Sequence, residues 1–307
     1  MQKRKLGKSD IEVSVVGLGC NNFGRRIHDV AAARAVVHRA LDLSVTLFDT
    51  ADAYGNGTSE SFLGEALGAR RKQAVVATKF GMGSPGGASR RTIMRTVEAS
   101  LRRLRTDYID LYHVHFPDPR TPIEETLGAL DELVRQGKVR AIGCSNFSAA
   151  QVRQAKDTAS KKELSAFVTC QDEYSLLVRG IERDLAPLMR EHGMTLLPYA
   201  PLAGGFLSGK YRRDKPLPGN ARLAYSTHHA SDVINERNWK LADQLRQFAL
   251  RRDRSMLDIA FGWLLARPYT ASVIAGAMTP EQIEQNVAAG SVNLSAEEVA
   301  ALDRITA

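Results

Sequence analysis

The stretch Ala74-Val75-Val76-Ala77-Thr78-Lys79 is apolar or β-branched until its last residue, a lysine. It shows no polar/apolar alternation, so a strand here needs cover on both faces, as in a parallel sheet. Runs of the same kind recur at residues 15–18, 45–49, 75–79, 109–113, 139–143, 167–170, 195–198 and 272–274. Helix-period segments separate them, at residues 30–43, 59–67, 89–104, 123–136, 148–159, 181–192, 235–248 with 256–266, and 279–288. Ser59, Ser148 and Thr279-Pro280 supply start signals for three of these helices. Eight strands, each followed by helix, predict an α/β fold, a closed (β/α)8 TIM barrel spanning residues 1–307 as one domain. An open doubly wound sheet is the competing arrangement. It is weaker because Gly17-Leu18-Gly19 runs into Cys20-Asn21-Asn22 and the G-x-G-x-x-G turn is missing.

Ahead of the first strand, residues 3–6 and 11–13 flank Gly7-Lys8-Ser9-Asp10. This predicts an N-terminal β-hairpin plugging the barrel bottom. Residues 296–305 predict a C-terminal extra helix packed outside. The segment from Ala203 to His229 is long, rich in Gly, Pro and basic residues, and poor in apolar period. It reads as a functional loop, with Tyr225, His228 and His229 as candidate lid residues.

The chain of 307 residues carries a formal net charge of +8. Its cations are scattered among acids, as with Glu98 near Arg102 and Glu132 near Arg135, or sit at helix ends, as in Arg70-Arg71-Lys72 and Arg251-Arg252. Cations at a helix C-terminus suit its dipole. No aromatic–basic interleaving suggests a nucleic-acid platform. Cys20, Cys144 and Cys170 make an odd set without CxxC spacing, against a disulfide framework or structural zinc. The basic start Met1-Gln2-Lys3-Arg4-Lys5 is followed by no apolar signal region, and no run suits a membrane span. The expectation is a cytoplasmic protein without a membrane partner.

The chemistry sits where strands end. Asp49 closes one run, Lys79 closes another, Tyr54 follows on the loop Thr50-Ala51-Asp52-Ala53, and His115 follows the run through Val114. Parallel neighbouring strands would bring these four onto one rim, where barrel enzymes carry their catalytic groups. A free phenol ionises near pH 10, and a nearby ammonium favours its phenolate. Lys79 supplies that charge, Asp49 holds Lys79, and His115 orients a carbonyl oxygen. The set is suited to protonating an oxygen as hydride reaches its carbon. His113, His115 and Asp118 could instead be metal ligands, but His113 lies inside the apolar run and no third nitrogen or sulfur ligand is close.

At these residues the chain resembles the aldo-keto reductase superfamily. The matching motifs are Phe48-Asp49-Thr50-Ala51-Asp52-Ala53-Tyr54-Gly55, Ala77-Thr78-Lys79-Phe80, Asp110-Leu111-Tyr112-His113-Val114-His115-Phe116-Pro117-Asp118 and Ile142-Gly143-Cys144-Ser145-Asn146-Phe147. Further on come Gln171-Asp172-Glu173-Tyr174-Ser175-Leu176-Leu177, Tyr199-Ala200-Pro201-Leu202-Ala203-Gly204-Gly205, Gly209-Lys210-Tyr211 and Gly276-Ala277-Met278-Thr279-Pro280-Glu281-Gln282. The resemblance implies a barrel of NAD(P)(H)-dependent oxidoreductases, with Tyr54 as acid/base, Asp49 and Lys79 behind it, and His115 on the carbonyl. It places Ser145, Asn146 and Gln171 on the nicotinamide amide, with Tyr199 stacked on the ring. Gly19, Cys20, Asn21 and Asp49 join the cofactor side. Ala200, Pro201, Leu202, Ala203 and Gly204, then Lys210 and Arg222, follow around the pyrophosphate and adenosine end, and Gly276, Met278, Gln282, Gln285 and Asn286 form the adenosine pocket.

Many NADPH-preferring relatives carry a cation where this chain has Ala275-Gly276-Ala277-Met278. NADP(H) is expected first, from the basic surface and the family bias, with NAD(H) or dual use as the alternative. Asn22, Phe23, Tyr54, Phe80, His115 and Phe116 are the expected substrate pocket. The expected function is carbonyl reduction. The alternatives are a sugar or aryl-alcohol dehydrogenase working in the oxidative direction and a cofactor-binding regulatory subunit like the potassium-channel β subunits.

Overall fold

The structure is a computed structural model that describes residues 1–82, 87–219, 221–225 and 227–307, without the side chains of 227–229. Strands β1 (Lys3–Lys5) and β2 (Glu12–Ser14) form an antiparallel hairpin. The main sheet is built from β3 (Val16–Gly19), β4 (Leu47–Asp49), β5 (Val75–Phe80), β6 (Ile109–Val114), β7 (Val139–Ser145), β8 (Thr169–Gln171), β9 (Thr195–Leu196) and β10 (Val273–Gly276). All its pairings are parallel, in the order β10-β3-β4-β5-β6-β7-β8-β9. The two ends of that order meet. Leu196 N donates to Tyr269 O at 2.6 Å, Ala271 N to Leu196 O at 2.9 Å, and Ile274 N to Pro198 O at 3.2 Å.

The helices are α1 (Val30–Asp42), α2 (Thr58–Leu67), α3 (Arg90–Leu104), α4 (Ile123–Arg135), α5 (Ala149–Lys162), α6 (Leu185–His192), α7 (Arg222–Tyr225), α8 (Thr227–Val233), α9 (Glu236–Leu250), α10 (Met256–Leu265), α11 (Pro280–Ala289) and α12 (Ala296–Ile305). The eight parallel strands with their helices are the (β/α)8 arrangement expected from the sequence. α12 packs on α9, and Trp263 Nε1 of α10 donates to Asp303 Oδ1 of α12 at 2.9 Å. Helix α3 shows why these segments are helical. Ile93, Val97, Leu101 and Leu104 recur every three or four residues and are buried on one face. Each such side chain contributes about 1.5–3 kcal/mol when fully buried. Among the described residues no helix is long and apolar enough to cross a membrane.

Two apolar layers position the site. The larger lies between sheet and helices and includes Phe48, Val76, Phe80, Tyr112, Val114 and Ile142. The smaller fills the barrel bottom: Leu6, Ile11 and Val13 of the hairpin region pack on Leu47, Ala77, Leu111 and Ala141. Side chains alternate along a strand, so the residues two further on from that inner layer also point inward. Those residues are Asp49, Lys79, His113 and Gly143. The hairpin plug and the polar rim are thus consequences of one register. Gly143 is required by the close approach of its neighbours: a Cβ there would stand 2.4 Å from Thr169 Oγ1 and 2.5 Å from His113 Cδ2. Gly143→Ala is expected to lower stability by about 1–3 kcal/mol, as overpacking does, read as a lower midpoint in urea.

Four local expectations change. Ser59 is not a cap: α2 starts one residue earlier, and the buried Ser59 hydroxyl donates to Cys20 O at 2.8 Å. Ser148 does cap α5 through a capping box, and Thr279 precedes Pro280 at the start of α11. The charges on α3 and α4 pair between elements: Glu98 takes Lys138 and Glu132 takes Arg90, while Arg135 pairs with Asp131. Arg71 is also no mere helix-end cation, since it bonds the buried Asp110 carboxylate at 2.7 Å. Finally, the segment from Ala203 to His229 contains a 3-10 stretch (Ala203–Ser208), α7 and the start of α8 rather than continuous loop. Tyr225 there is exposed, whereas the side chains of His228 and His229 lie outside the described residues.

Candidate active site

Strand β4 delivers Asp49, and β5 delivers Lys79. Both are buried. Lys79 Nζ donates to Asp49 Oδ1 and Oδ2 and to Thr50 O, each at 2.8 Å. Gln171 Nε2, from β8 across the barrel, donates to Asp49 Oδ1 at 2.9 Å. Burial works against the Lys79 ammonium, but the charges of Asp49 and Tyr54 and their hydrogen bonds outweigh it, and the Lys79 pKa ends above its ordinary value. The ammonium therefore stays charged at neutral pH.

Tyr54 enters on the 3-10 turn Tyr54–Gly57, in which Gly55 and Asn56 have φ of 57° and 52°. Gly55 is pressed against the neighbouring loop: a Cβ there would lie 3.2 Å from Gly24 O and Phe23 O. Lys79 Nζ lies 5.0 Å from the centre of the Tyr54 ring, and the His115 ring meets the same phenol edge-on at 5.8 Å between centroids. Behind the turn, Glu60 is fully buried, accepts from Thr78 Oγ1 at 2.6 Å and pairs with Arg103 at 2.6 Å. Nothing in the sequence places Arg103 opposite Glu60. Asp52 beside them is pushed up to about 6 by burial and then by Glu60.

His115 follows β6, with its amide bonded to Phe80 O at 2.8 Å. Burial, then the Lys79 charge, lowers its pKa from 6.5 to about 3. Its imidazole is neutral at physiological pH, and its buried Nδ1 has no partner. His113 lies one layer deeper, bonded to Thr169 Oγ1 at 2.9 Å, and burial drives its pKa well below the usual range. Asp118, the third residue of the metal reading, accepts from Ala88 N, Arg120 N and Thr121 Oγ1. Among the described residues no group of three or more His, Cys, Asp and Glu could hold a metal ion.

These two histidines make stability fall on acidification. The unfolded chain takes up their protons near pH 6.5, whereas folded His115 does so only near pH 3. Between those values the unfolded state binds more protons, so lowering the pH favours it, with a slope of up to about 1.4 kcal/mol per pH unit for each histidine. Urea midpoints from pH 7 to 4 should decline, and less steeply in His113→Asn. A flat profile would contradict the neutral burial.

The neighbouring rim holds the other expected residues. Ser145 Oγ donates to Gln171 O at 2.7 Å. Asn146 has a left-handed φ of 62°, and its Nδ2 donates to His115 O and Ser145 Oγ, both at 3.0 Å. Tyr199 Oη donates to Asn146 Oδ1 at 2.9 Å. Ala200, Ala203, Gly204 and Gly205 all have positive φ, and Lys210 Nζ stands 3.1 Å from where a Gly205 Cβ would be. Met278 N donates to Gln282 Oε1 at 2.8 Å. Asn286 is buried with an unpartnered Nδ2, whereas Gln282 and Gln285 are exposed. Cys20 is buried, and its amide bonds Asp49 O. Asn22 carries the rim next to Gly276, its Nδ2 3.2 Å from a Cβ built there. Phe116 is exposed and stacks on His115. Phe23 and Phe80 are not brought to the rim: both are fully buried in the layer between sheet and helices, and Phe80 packs on Tyr112.

A profile of the Aldo/keto reductase family matches residues 15–307. The chain belongs to the aldo/keto reductase family. An aldo-keto reductase from Bacillus halodurans, AKR11C1 in its holo form, superimposes with a TM-score of 0.82 at 33% identity, covering 99% of this chain and 96% of that one. A Bacillus subtilis protein named "Uncharacterized oxidoreductase YrpG" is 34% identical over 97% of this chain and 93% of its own length. An Arabidopsis thaliana protein named "Probable voltage-gated potassium channel subunit beta" is 34% identical over 95% and 92%. This aldo/keto reductase is therefore an oxidoreductase by family.

Proposed function

We propose that this aldo/keto reductase reduces aldehyde or ketone carbonyls to alcohols with NADPH, and with NADH less well, using Tyr54 as general acid. The observation that carries this reading is the packing of a phenol, a buried ammonium and a neutral imidazole on one inner rim. A bound reduced nicotinamide supplies the hydride. As the carbonyl carbon gains its C–H bond, the π pair moves to oxygen, and Tyr54 Oη gives that oxygen its proton. Lys79, fixed by Asp49, faces the negative charge left on the phenol. The neutral His115 has one N–H to donate, which orients the carbonyl oxygen without competing as an acid. In the oxidative direction the same groups act in reverse.

The residues fit a nicotinamide dinucleotide. The buried, unpartnered Asn286 amide suits an acceptor on a bound base. The run of left-handed residues from Ala200 to Gly205, with Lys210 over it, suits phosphate oxygens. Gln171, Ser145 and Asn146 hold one another beside Tyr199, which suits a flat ring carrying an amide. NADPH comes first because Lys210 and Arg222 are the cations proposed for this end, and NADH remains usable because residues 275–278 carry none. The channel-subunit name is that of the Arabidopsis relative, and the proton-transfer set is compatible with either role.

NADPH and NADH oxidation with methylglyoxal, glyceraldehyde and nitrobenzaldehyde tests the reading, beside NAD(P)⁺ reduction with galactose, fucose and benzyl alcohols. Turnover of a carbonyl well above a Tyr54→Phe control, faster with NADPH, is expected. No carbonyl turned over above that control would overturn it.

A further inference from the structure

The loop between β3 and α1 carries two adjacent arginines, Arg25 and Arg26, outside the proton-transfer set. The loop is tightly wound. The amides of Arg25, Arg26 and Ile27 all converge on Asn22 O, at 3.2, 2.9 and 2.9 Å, and Gly24 N donates to Ile27 O at 2.8 Å. It also lies directly on the turn that carries the phenol, since the carbonyls of Phe23 and Gly24 lie 3.2 Å from a Cβ built on Gly55. Tyr54 is the residue before that glycine. The two arginines are therefore presented by ordered backbone at the edge of the reacting centre.

A second cationic strand of chain faces them. Arg26 lies 5.3 Å from the centre of the Tyr225 ring, at the end of α7, and Arg222 opens the same helix. Arg222 is exposed there and sits in the field of the Tyr54 phenol and of the Arg26 and Arg25 cations. Lys210 likewise feels Arg26. Like charges gathered at one mouth raise the local concentration of an oppositely charged ligand, and guanidinium groups match carboxylate and phosphate oxygens two at a time.

We propose that Arg25 and Arg26 form an anion-recognising edge of the substrate site, selecting carbonyl substrates that bear a carboxylate or phosphate group. This rests on the carbonyl-reductase reading and names its substrate class. The anion would sit at the loop while its carbonyl reaches Tyr54 and His115. Arg25 and Arg26 are specificity residues, so their removal leaves the reduction of neutral carbonyls intact.

The test compares matched pairs, glyceraldehyde 3-phosphate against glyceraldehyde and 4-carboxybenzaldehyde against benzaldehyde, in the wild-type enzyme and in Arg25→Ala/Arg26→Ala. Wild-type kcat/KM should favour the anionic member of each pair, by about tenfold for one well-made charged contact. The double variant should lose that preference, with neutral turnover and NADPH affinity by fluorescence unchanged. Equal turnover of both members by the wild-type enzyme would overturn the proposal. So would equal losses for both members with weakened NADPH binding, which would assign the arginines to the nucleotide. If neither member were reduced, the reductase reading would fall. The anion site would then be judged by calorimetric titration of glycerol 3-phosphate into the NADP⁺-loaded protein. Binding lost in the double variant would support it, and no binding to the wild type would sink it.

Discussion

Tyr54→Phe is expected to lower kcat for carbonyl reduction by about 10²–10⁴-fold, the usual worth of a positioned general acid. The substitution keeps the ring and with it the edge contact to His115 and the packing near Lys79. It removes only the hydroxyl that carries the proton. Nucleotide affinity, followed by fluorescence, should stay close to wild type, because the Ser145–Gln171 and Asn146–Tyr199 bonds do not involve Tyr54. A variant that lost nucleotide binding together with activity would point to a structural role for the phenol.

Lys79→Met is expected to lower both activity and stability. Asp49 accepts two hydrogen bonds from Lys79 inside the barrel. Without the ammonium its buried carboxylate keeps the Gln171 amide as donor but loses its balancing charge. Removing one partner of a buried ion pair costs about 3–5 kcal/mol, whereas replacing both with neutral groups of similar shape is often close to neutral. Urea unfolding should therefore show a large loss in Lys79→Met and substantial recovery in Asp49→Asn/Lys79→Met. Activity should recover in neither, since no cation then faces the Tyr54 oxygen. Restored activity in the double variant would contradict the role given to the ammonium.

The sequence placed Asp49 and Lys79 at the ends of apolar runs; that they and His113 point inward follows from the structure, where Leu47, Ala77 and Leu111 two residues earlier fill the barrel bottom. The choice of His115 over His113 needed more than alternation, since both share a face. The resemblance supplied it, and the structure gives a physical counterpart in the Thr169 bond that occupies His113 below the rim. Strand ends ran one or two residues past the expected limits in β5, β6 and β7, where rim residues such as His115 still donate to the adjacent strand.

What the sequence concealed depends on pairs far apart in the chain. Arg103 beneath the Tyr54 turn and Lys138 opposite Glu98 become partners only once neighbouring helices pack. The short helices α7 and α8 leave little trace in the sequence, because Leu223 and Val233 give too few buried apolar positions for a period. Phe80 is expected from the sequence to border the substrate pocket. The alternation that turns Lys79 inward turns Phe80 outward into the helix layer.

Deuterium transfer tests the hydride chemistry most directly. The enzyme is incubated with NADPH dideuterated at C4 and a carbonyl substrate that it turns over, and the alcohol is analysed by mass spectrometry and NMR. One deuterium on the carbinol carbon, formed by the wild-type enzyme and nearly absent with Tyr54→Phe, is the predicted result. Alcohol formed without label at that carbon, or labelled equally fast by the phenylalanine variant, would contradict it.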